Sequence, residues 1–351
     1  MSSKKVIFIC NIKNTFVTND INLLEDMGYK VFLIYSPAYK DPFRFFLNRI
    51  REFFLCLALI PKANALFSWF NDYHTTIPLA ISRIFMKPFI TIVGGYDAVA
   101  NDSLKYGLFL NKNIRRDLGV WNFKKTNEIW VVNKSLSEGC SFAKKDSKTI
   151  SGIRNFIPDL NTPIFEVPTA YDFNFWKNNE IKKQKTILTV ANITDKRTFE
   201  RKGIPLFLYL AEQLPDFKFT LAGMKYQLKT NSFPRNIKIL GKQNDQQLKS
   251  LYGLNKYYFQ GSKIEGLPNV LCEAMLCECI PLGNKVFGIP NAIGDTGIIF
   301  EGFSNIQKVI DFLKDDKIKH GLKARERIIK KFSKNRREAQ FKRVLKLNSY
   351  E

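Results

Sequence analysis

The stretch SKIEGLPNVLCEAMLCECIPLG, residues 262–283, places two acids, Glu265 and Glu273, eight positions apart around a Gly-Leu-Pro turn. An apolar strand, 256–260, precedes the turn. Pro268 fits the first turn of a helix, because the N–H that proline lacks has no partner there anyway. The free amides at the start of this helix, with the positive end of its dipole, would form a site for an anion such as a diphosphate.

The two acids would lie on either side of that anion site. Glu273 is about one and a half turns into the helix, where its carboxylate could accept two hydrogen bonds from a diol such as ribose. Glu265 comes before the turn, nearer to whatever group the diphosphate carries. Ligands of open α/β sheets bind at the carboxyl ends of strands, which is where this loop lies. The spacing alone also fits, and by itself favours, a capped surface helix with two solvated acids.

Short apolar strands alternate with helices along the rest of the chain, which is typical of parallel, doubly wound sheets. A length of 351 residues suits two domains better than one. The polar stretch NFWKNNEIKKQK, residues 174–185, interrupts the alternation, and a fresh strand begins at Thr186. The pattern therefore predicts an N-terminal domain over 1–174, a linker over 175–185, a second α/β domain over 186–332 and a C-terminal helix over 333–351.

The composition bounds the class of protein. Hydrophobic residues make up 45% of the chain and charged residues 25%, which is typical of globular domains and excludes wholesale disorder. The sequence contains no run of about 18 apolar residues, so it predicts no membrane-spanning helix. The basic start MSSKKVIFI is broken by Asn11, so it predicts a first strand and not a signal peptide.

The six cysteines form no disulfide-like framework, so we expect a reducing, cytoplasmic location. Cys272, Cys277 and Cys279 are close enough in sequence to suggest a metal site, but no histidine is near to complete it. The more economical interpretation is that they are small buried residues of a helix and a strand. We expect no metal and no cofactor.

The net charge of +23 requires an anionic partner or a solubility role. Nucleic acid, nucleotide-diphosphate substrates and the anionic inner membrane leaflet all qualify. The stretch PFRFFLNRIREFFLCLALI, residues 42–60, repeats large apolar residues at helical spacing with arginines between them. It predicts either a helix that lies in a membrane interface or a sheet-packing helix whose arginines face water. Residues 321–351 add eleven Lys or Arg against three Glu, which fits anionic lipid or a solvated helix face.

The stretch EGLPNVLCEAMLCECIPLG resembles the E-x7-E signature of family 4 glycosyltransferases, the glycosyl transferases group 1. Segments on both sides agree in order, namely TILTVANITDKRTFERKGIPLFLYLAEQLPDFKFTLAG, LKSLYGLNKYYFQGSKIEGLPN and GIPNAIGDTGIIF. The resemblance covers about residues 185–300, whereas the N-terminal half matches in pattern only. It implies the GT-B fold, in which two Rossmann-like doubly wound domains face each other across a cleft.

The resemblance also implies roles for particular residues. Glu273 would hold the ribose of a nucleotide-sugar, Glu265 would contact the donor sugar near the reacting carbon, and Lys202 would neutralise the leaving diphosphate. The diphosphate would be received by the turn and the helix start, Gly266, Leu267, Pro268, Asn269 and Val270, and Gly223 completes the donor set. Fixed cations stabilise the negative charge that forms when a glycosyl–phosphate bond breaks. The implied enzyme is a metal-independent, retaining hexosyltransferase (EC 2.4) of surface polysaccharide or lipopolysaccharide-type biosynthesis.

Four positions depart from the family pattern. Asn192 replaces an arginine after the first donor-domain strand, a role that Lys196, Arg197 or Arg201 would take over, so we add Arg197 and Arg201 to the catalytic candidates. Glu278 stands where the helix usually ends in glycine, and a non-glycine residue in the left-handed conformation costs about 1 kcal/mol.

The other two departures concern the acceptor side. The early Gly-Gly loop is missing, so Lys13 or nearby amides would replace it. The family histidine at the strand before Gly94 is also missing. Acceptor-side candidates are therefore Gly94, Gly95, Tyr96, Asp97, His74 and Lys13, with a structural loop histidine as the preferred interpretation of His74.

Three classes of function remain at this point. The first is a glycosyltransferase that uses a nucleotide-diphosphate sugar and a glycan or lipid-linked acceptor, in the cytoplasm or peripheral on the inner face of the plasma membrane. The second is a degenerate scaffold protein with the same fold. The third is a basic nucleic-acid-binding protein, for which no recognised motif is present.

Overall fold

The computed structural model describes residues 4–226, 233–315 and 321–347. Within these ranges the chain forms two α/β domains, each built on a six-stranded parallel sheet. The fold class predicted from the alternation of strands and helices is confirmed.

The N-terminal domain has its strands in the order β2-β1-β3-β4-β6-β8, and a separate antiparallel pair joins β5 to β7. Strands β1, β3 and β4 consist almost entirely of buried apolar residues, as strands covered on both faces must be. The strands are β1 Lys5–Cys10, β2 Lys30–Tyr35, β3 Ala65–Trp69, β4 Phe89–Val93, β5 Val99–Ala100, β6 Glu128–Val131, β7 Ile150–Ser151 and β8 Ile164–Glu166. The helices are α1 Thr15–Asp26, α2 Pro42–Leu59, α3 Tyr73–Ile84, α4 Ile114–Lys125, α5 Ser135–Glu138, α6 Ser141–Ser147 and α7 Ile153–Phe156.

The C-terminal domain repeats this plan with the order β11-β10-β9-β12-β13-β14. Its strands are β9 Lys183–Ile193, β10 Lys218–Met224, β11 Ile237–Leu240, β12 Asn255–Gln260, β13 Ile280–Asn284 and β14 Ile298–Phe300. Its helices, with the C-terminal one, are α8 Lys196–Arg201, α9 Ile204–Gln213, α10 Asp245–Leu254, α11 Asn269–Leu276, α12 Ile289–Ile293, α13 Gln307–Asp315, α14 Gly321–Lys331 and α15 Lys334–Leu347.

Each sheet reverses its strand order at one point, between β1 and β3 in the first domain and between β9 and β12 in the second. The loops on either side of such a reversal diverge and leave a crevice at the carboxyl ends of the strands. Loops from both crevices line one cleft between the domains. The strand order alone therefore predicts that a ligand binds in this cleft.

Helix α15 leaves the C-terminal domain and packs on the N-terminal sheet. Arg337 forms an ion pair with Asp20 in which both side chains are almost wholly buried, and it donates to the carbonyls of Val167 and Pro168 at 2.9 Å. The Phe341 ring lies 4.9 Å from Phe67, centroid to centroid. The last described segment of the chain thus belongs to the core of the first domain.

Helix α2 packs on the domain through Cys56 and Leu59 and leaves most of its large apolar residues exposed. Seven of them are between 38% and 68% exposed: Phe43, Phe46, Leu47, Ile50, Phe53, Phe54 and Leu57. The face that packs on the domain carries Cys56 and, unexpectedly, Glu52. The helix therefore contacts the sheet through one narrow face, and contact of its exposed aromatic side with a membrane interface stays a prediction. Across the described residues, none of the helices combines the length and the apolar character that a bilayer-spanning segment needs.

Candidate functional site

The interdomain cleft consists of two adjoining cavities of about 620 Å³ and 550 Å³. The larger is formed mostly by the C-terminal domain, and we call it the donor cavity. The smaller is formed mostly by the N-terminal domain, and we call it the acceptor cavity. Arg201, Lys202 and Glu265 line both, so they lie where the two cavities meet. A group bound in either cavity can therefore contact these three side chains.

The turn between β12 and α11 forms one wall of the donor cavity. Helix α11 begins at Asn269 with Pro268 as its N-cap, so the prediction that Pro268 lies in the first turn is wrong by one position. Proline has no side-chain acceptor, and among the described residues no side chain caps this helix. Pro268, Asn269 and Val270 line the donor cavity, whereas Leu267 lines the acceptor cavity. The helix start therefore meets the cavity without a competing side chain, as an anion site requires.

Gly266 lies in close contact with the opposite domain at the cleft. A Cβ atom built on Gly266 would lie 2.3 Å from the carbonyl oxygen of Gly94, which belongs to the opposite domain. The carbonyl of Gly266 accepts a hydrogen bond from the amide of Gly288 at 2.8 Å. Only glycine fits here, because any side chain would separate the turn from the loop after β4.

Lys202 and Glu265 form an ion pair with Nζ and Oε2 2.5 Å apart, and each side chain is 18% exposed. Burial lowers the pKa of Lys202 and Glu265 opposes that effect. Burial alone would raise the pKa of Glu265, but the charges of Lys202 and Arg201 outweigh it, and the pKa lies below its usual value. Glu265 is therefore an ionised carboxylate near neutral pH.

Lys202 is positioned by the backbone that follows it. It is the C-cap of α8, and Gly203 then adopts φ 71°, the left-handed conformation that favours glycine. A Cβ atom at Gly203 would lie 1.9 Å from the carbonyl oxygen of Gly261, the residue after β12. This contact joins the loop after β9 to the loop after β12 and brings the lysine to the glutamate.

The two arginines predicted beside Lys202 are placed differently. The guanidinium of Arg201 lies over the Tyr106 ring of the other domain, 4.9 Å from its centroid, and lines both cavities. Arg197 is exposed and donates to the carbonyl of Lys105, in the opposite domain, at 3.4 Å. Arg197 lines neither cavity, although it lies one turn from Arg201 on the same helix, so its predicted catalytic contact is corrected to a contact with the opposite domain.

Glu273 is 6% exposed and borders the inner end of the donor cavity. Its Oε2 accepts a hydrogen bond from the Tyr252 hydroxyl at 3.3 Å. Burial, and to a smaller extent the charge of Asp245, raises the pKa of Glu273 to about 8. Burial therefore shifts Glu273 towards its protonated form, whereas the sequence predicted a carboxylate that accepts two hydrogen bonds.

Other residues complete the donor cavity. Gly223 lines it with φ 96°, and a Cβ atom there would lie 2.3 Å from the carbonyl oxygen of Ala191. Asn192, which stands in place of the family arginine, also lines the cavity. Lys225 and Lys242 add two cations that sequence reasoning missed. Each lies one or two residues after the end of a strand, and this position could have identified both lysines as candidates for the site.

Gly94 and Tyr96 line the acceptor cavity, as the acceptor-side prediction requires. Asp97 does not, because it is fully buried and accepts hydrogen bonds from the amides of Asn71, Gly94 and Gly95. Burial raises the pKa of Asp97 to about 6. Asp97 therefore holds the Gly94-Gly95 loop in place, and its predicted contact with a ligand is corrected to this structural role.

The predictions for His74 and Lys13 are also corrected. His74 is fully buried, its Nε2 lies 2.9 Å from the carbonyl oxygen of Trp69, and desolvation lowers its pKa to about 4. It is a neutral structural histidine, as the preferred interpretation held. The ammonium group of Lys13 lies over the Tyr35 ring at 4.6 Å and is turned away from both cavities, although its neighbours Ile12 and Asn14 line them.

Two polar groups of the acceptor cavity were not predicted. Arg115 pairs with Asp72, donating from Nε at 2.6 Å, and its guanidinium lies over the Tyr96 ring at 5.4 Å. Asp72 could have been inferred as the N-cap of α3. Arg115 gave no local signal, because it reaches the cavity from α4, some forty positions further along the chain.

The structure also shows the conformation of Glu278 and the state of the three neighbouring cysteines. Glu278 does adopt the left-handed conformation, with φ 64°. Cys272, Cys277 and Cys279 are buried free thiols, and desolvation raises the pKa of the first two to about 12. In the ranges that the structure covers, no three His, Cys, Asp or Glu side chains come together as metal ligands would.

Two α/β domains that face each other across a cleft, with the reversal points of both sheets on it, define the GT-B class of fold. Residues 171–335 match the family model described as Glycosyl transferases group 1, so the resemblance inferred from the E-x7-E stretch is confirmed for the C-terminal domain.

Solved structures extend the likeness to the whole chain. Sucrose-phosphate synthase from Thermosynechococcus elongatus superposes with a TM-score of 0.71 at 12% identity, covering 99% of this chain and 100% of the other. HepE of Anabaena, solved in complex with UDP, gives 0.66 at 12% identity and covers 98% and 100%. At such low identities these matches establish the fold.

Among curated proteins, one component of the phosphatidylinositol N-acetylglucosaminyltransferase of Arabidopsis thaliana is 20% identical over 250 residues. That alignment covers 66% of this chain and 55% of the relative. The chain thus spans about half the length of the curated relative it matches.

Proposed function

We propose that this protein is a glycosyltransferase that moves a sugar from a nucleotide-diphosphate sugar to a glycan or lipid-linked acceptor. The observation that carries the proposal is the Lys202–Glu265 pair at the junction of the two cavities, beside a helix start that no side chain caps. The family match over the donor domain supports it, as does the likeness to a fold solved with UDP.

The chemistry of transfer accounts for the charges at the junction. Transfer breaks the bond between the sugar carbon and the diphosphate oxygen and joins that carbon to a hydroxyl oxygen of the acceptor, whose proton passes to the leaving diphosphate. Negative charge then collects on the leaving diphosphate, where Lys202, Arg201 and the amides of the α11 start can stabilise it. These cations belong to the protein, so we propose that transfer needs no metal ion.

The ionised Glu265 occupies the position between the donor and acceptor cavities. Its carboxylate would accept hydrogen bonds from the sugar or stabilise positive charge on the reacting carbon. We place the sugar here, the diphosphate over the helix start and the ribose at Glu273. Retention of configuration, a role in surface polysaccharide synthesis and a cytoplasmic site with peripheral contact to the inner membrane face complete the proposal. The relative that acts on phosphatidylinositol supports a lipid-linked acceptor.

Nucleotide binding gives the first test. A ligand that binds only the folded state stabilises it by about 2.7 kcal/mol at a hundred times its dissociation constant, so UDP, GDP or ADP should raise the unfolding temperature by several degrees. Glu273→Ala and Lys202→Met should abolish that shift and the transfer of sugar from a nucleotide-sugar panel. Lys263→Met is the matched control, because Lys263 lies on the same loop but pairs outward with Glu200 at 3.6 Å.

The outcomes separate the classes of function. If no nucleotide diphosphate shifts the unfolding temperature, or if Glu273→Ala transfers sugar at the wild-type rate, the proposed site is wrong. A shift without transfer to any acceptor indicates a degenerate scaffold. Retention on heparin with no response to nucleotides indicates a nucleic-acid-binding protein.

A further inference from the structure

Helix α2 exposes a continuous apolar surface, which we call the apolar stripe. It consists of the seven exposed residues Phe43, Phe46, Leu47, Ile50, Phe53, Phe54 and Leu57. At 3.6 residues per turn these side chains fall within an arc of about 120° along the whole helix. A soluble surface rarely keeps so many large apolar residues together, so the stripe has the character of a contact surface.

The opposite face of α2 packs on the domain through Cys56 and Leu59, but it also buries a charged pair. Glu52 is 1% exposed and its carboxylate lies 2.5 Å from the guanidinium of Arg49. Removing an ion pair from water is costly, and exposing phenylalanine to water is also unfavourable. The helix thus buries a charged pair while most of its large apolar side chains are exposed, which is expected if the exposed side normally contacts an apolar medium.

The charges beside the stripe indicate which apolar medium this is. Arg44 and Arg51 are exposed along one edge of the stripe. Glu52 is the one acid within α2, and it is buried. An exposed face that combines phenylalanine with arginine and carries no acid complements an anionic lipid surface, and it resembles the helices that lie flat in a membrane interface.

The N-terminal end of α2 lies near the wall of the acceptor cavity. Ala38, which lines that cavity, precedes the first residue of α2 by four positions. The Phe45 ring packs edge-on against Tyr73 with centroids 5.2 Å apart, and Tyr73 follows Asp72, another lining residue. A surface that contacts the stripe would therefore lie near the wall of the acceptor cavity that Ala38 and Asp72 form.

We propose that the apolar stripe docks the protein flat onto an anionic lipid surface and places the acceptor cavity beside the bilayer. This inference rests on the proposed peripheral membrane contact and assigns it to one surface. The acceptor would then be an amphiphile whose polar head enters the cavity while its apolar part stays in the membrane. Docking itself requires neither a nucleotide nor transfer.

Vesicle flotation tests the docking. The wild-type protein should bind vesicles of phosphatidylcholine containing phosphatidylglycerol at physiological salt, and should bind pure phosphatidylcholine vesicles much more weakly. Phe46→Gln with Phe54→Gln should lower the partition coefficient about tenfold or more, because two inserted rings are lost. Arg44→Gln with Arg51→Gln should lower it about tenfold and reduce its salt dependence.

The matched control exchanges equally exposed apolar residues elsewhere. Ile181 is 91% exposed and Leu322 is 64% exposed, so Ile181→Gln with Leu322→Gln removes as much apolar surface outside α2. This variant should bind vesicles as the wild type does. Equal loss in both double variants, or no loss in the stripe variant, overturns the proposal.

Two further measurements test whether a second copy of the chain covers the stripe and whether the stripe variant still binds nucleotide. If the free protein is a dimer in analytical ultracentrifugation and the stripe variant is a monomer, the stripe is an interface between copies and the proposal is wrong. The UDP-induced change in unfolding temperature should be the same in stripe variant and wild type. A stripe variant that keeps this shift but loses vesicle binding supports docking, whereas wild-type protein that binds UDP but no vesicles refutes docking without affecting the proposed transfer.

Discussion

At the scale of single residues, the site depends on groups whose chemistry is set by where the backbone places them. Glu265 and Glu273 are the same residue type eight positions apart, yet their pKa values are shifted in opposite directions. The charges of Lys202 and Arg201 lower the pKa of Glu265, whereas burial and the charge of Asp245 raise the pKa of Glu273. The sequence identified both residues, but the neighbours that set their protonation come from other loops.

The raised pKa of Glu273 predicts how stability depends on pH. The unfolded chain releases this proton near pH 4.5 and the folded chain near pH 8, so the folded state binds more protons in between and its stability falls as pH rises. The slope is at most about 1.4 kcal/mol per pH unit. Unfolding free energies of the wild type and Glu273→Gln, measured from pH 5 to pH 8, should show the wild type losing stability relative to the variant. Parallel curves would contradict the shift.

Gly266 predicts a steric test of domain closure. In Gly266→Ala the new Cβ atom would lie 2.3 Å from the Gly94 carbonyl oxygen, so the turn and the opposite loop must separate. We expect donor binding by calorimetry to weaken at least tenfold, with secondary structure by circular dichroism unchanged. Gly241→Ala is the control, because a Cβ atom there meets nothing within 4 Å. Similar losses in both variants would show that the close contact is not what matters.

At the scale of elements, α15 shows how much a segment near the chain end contributes. Its sequence is strongly basic, which suggested a solvated or lipid-contacting face. In the structure Arg337 is buried with Asp20, and Arg343 makes two hydrogen bonds to Glu128 at 2.7 and 2.6 Å. Part of the positive charge of this region thus serves to attach the helix to the first domain.

Substitutions along α15 should differ sharply in their effects. Arg337→Leu leaves Asp20 buried without its partner, which costs about 3 to 5 kcal/mol of unfolding free energy. Lys334→Ala removes a pair with Asp26 in which both side chains are about half exposed, and should cost less than about 1 kcal/mol. Urea unfolding of the two variants measures the contrast. Equal, small effects would mean that α15 is not part of the first domain's core.

At the scale of the whole molecule, the two domains are joined by specific contacts around the cleft. The Asn269 side chain, at the start of α11, accepts hydrogen bonds from Tyr171 at 2.8 Å and Thr169 at 3.1 Å. Arg201 lies over Tyr106 of the opposite domain. The donor cavity accordingly has walls from both domains, including Asn14, Thr15 and Phe16 of the first.

Because the donor cavity has walls from both domains, a bound nucleotide should change hydrogen exchange in both domains. On adding a nucleotide diphosphate, hydrogen exchange should slow in the loop after β12 and also in residues 11–16, although the latter belong to the other domain. The buried strand β4 serves as an internal reference that should not change. Protection confined to the C-terminal domain would show that the first domain does not contact the donor.

The sequence by itself determined the fold class and the donor turn, because both rest on local signals. Alternating strands and helices dictate a parallel sheet, and a Gly-Leu-Pro turn before a helix dictates free amides. It could not decide which cations reach the site, since Arg197 and Arg201 differ by one helical turn and only the packing of α8 separates them. Nor could it decide which side of α2 is exposed. That depends on packing in the folded domain, where Cys56 and Leu59 contact buried residues of the sheet and Glu52 is buried beside Arg49. Such contacts join residues that are far apart in the chain, so no local pattern in α2 selects between its two sides.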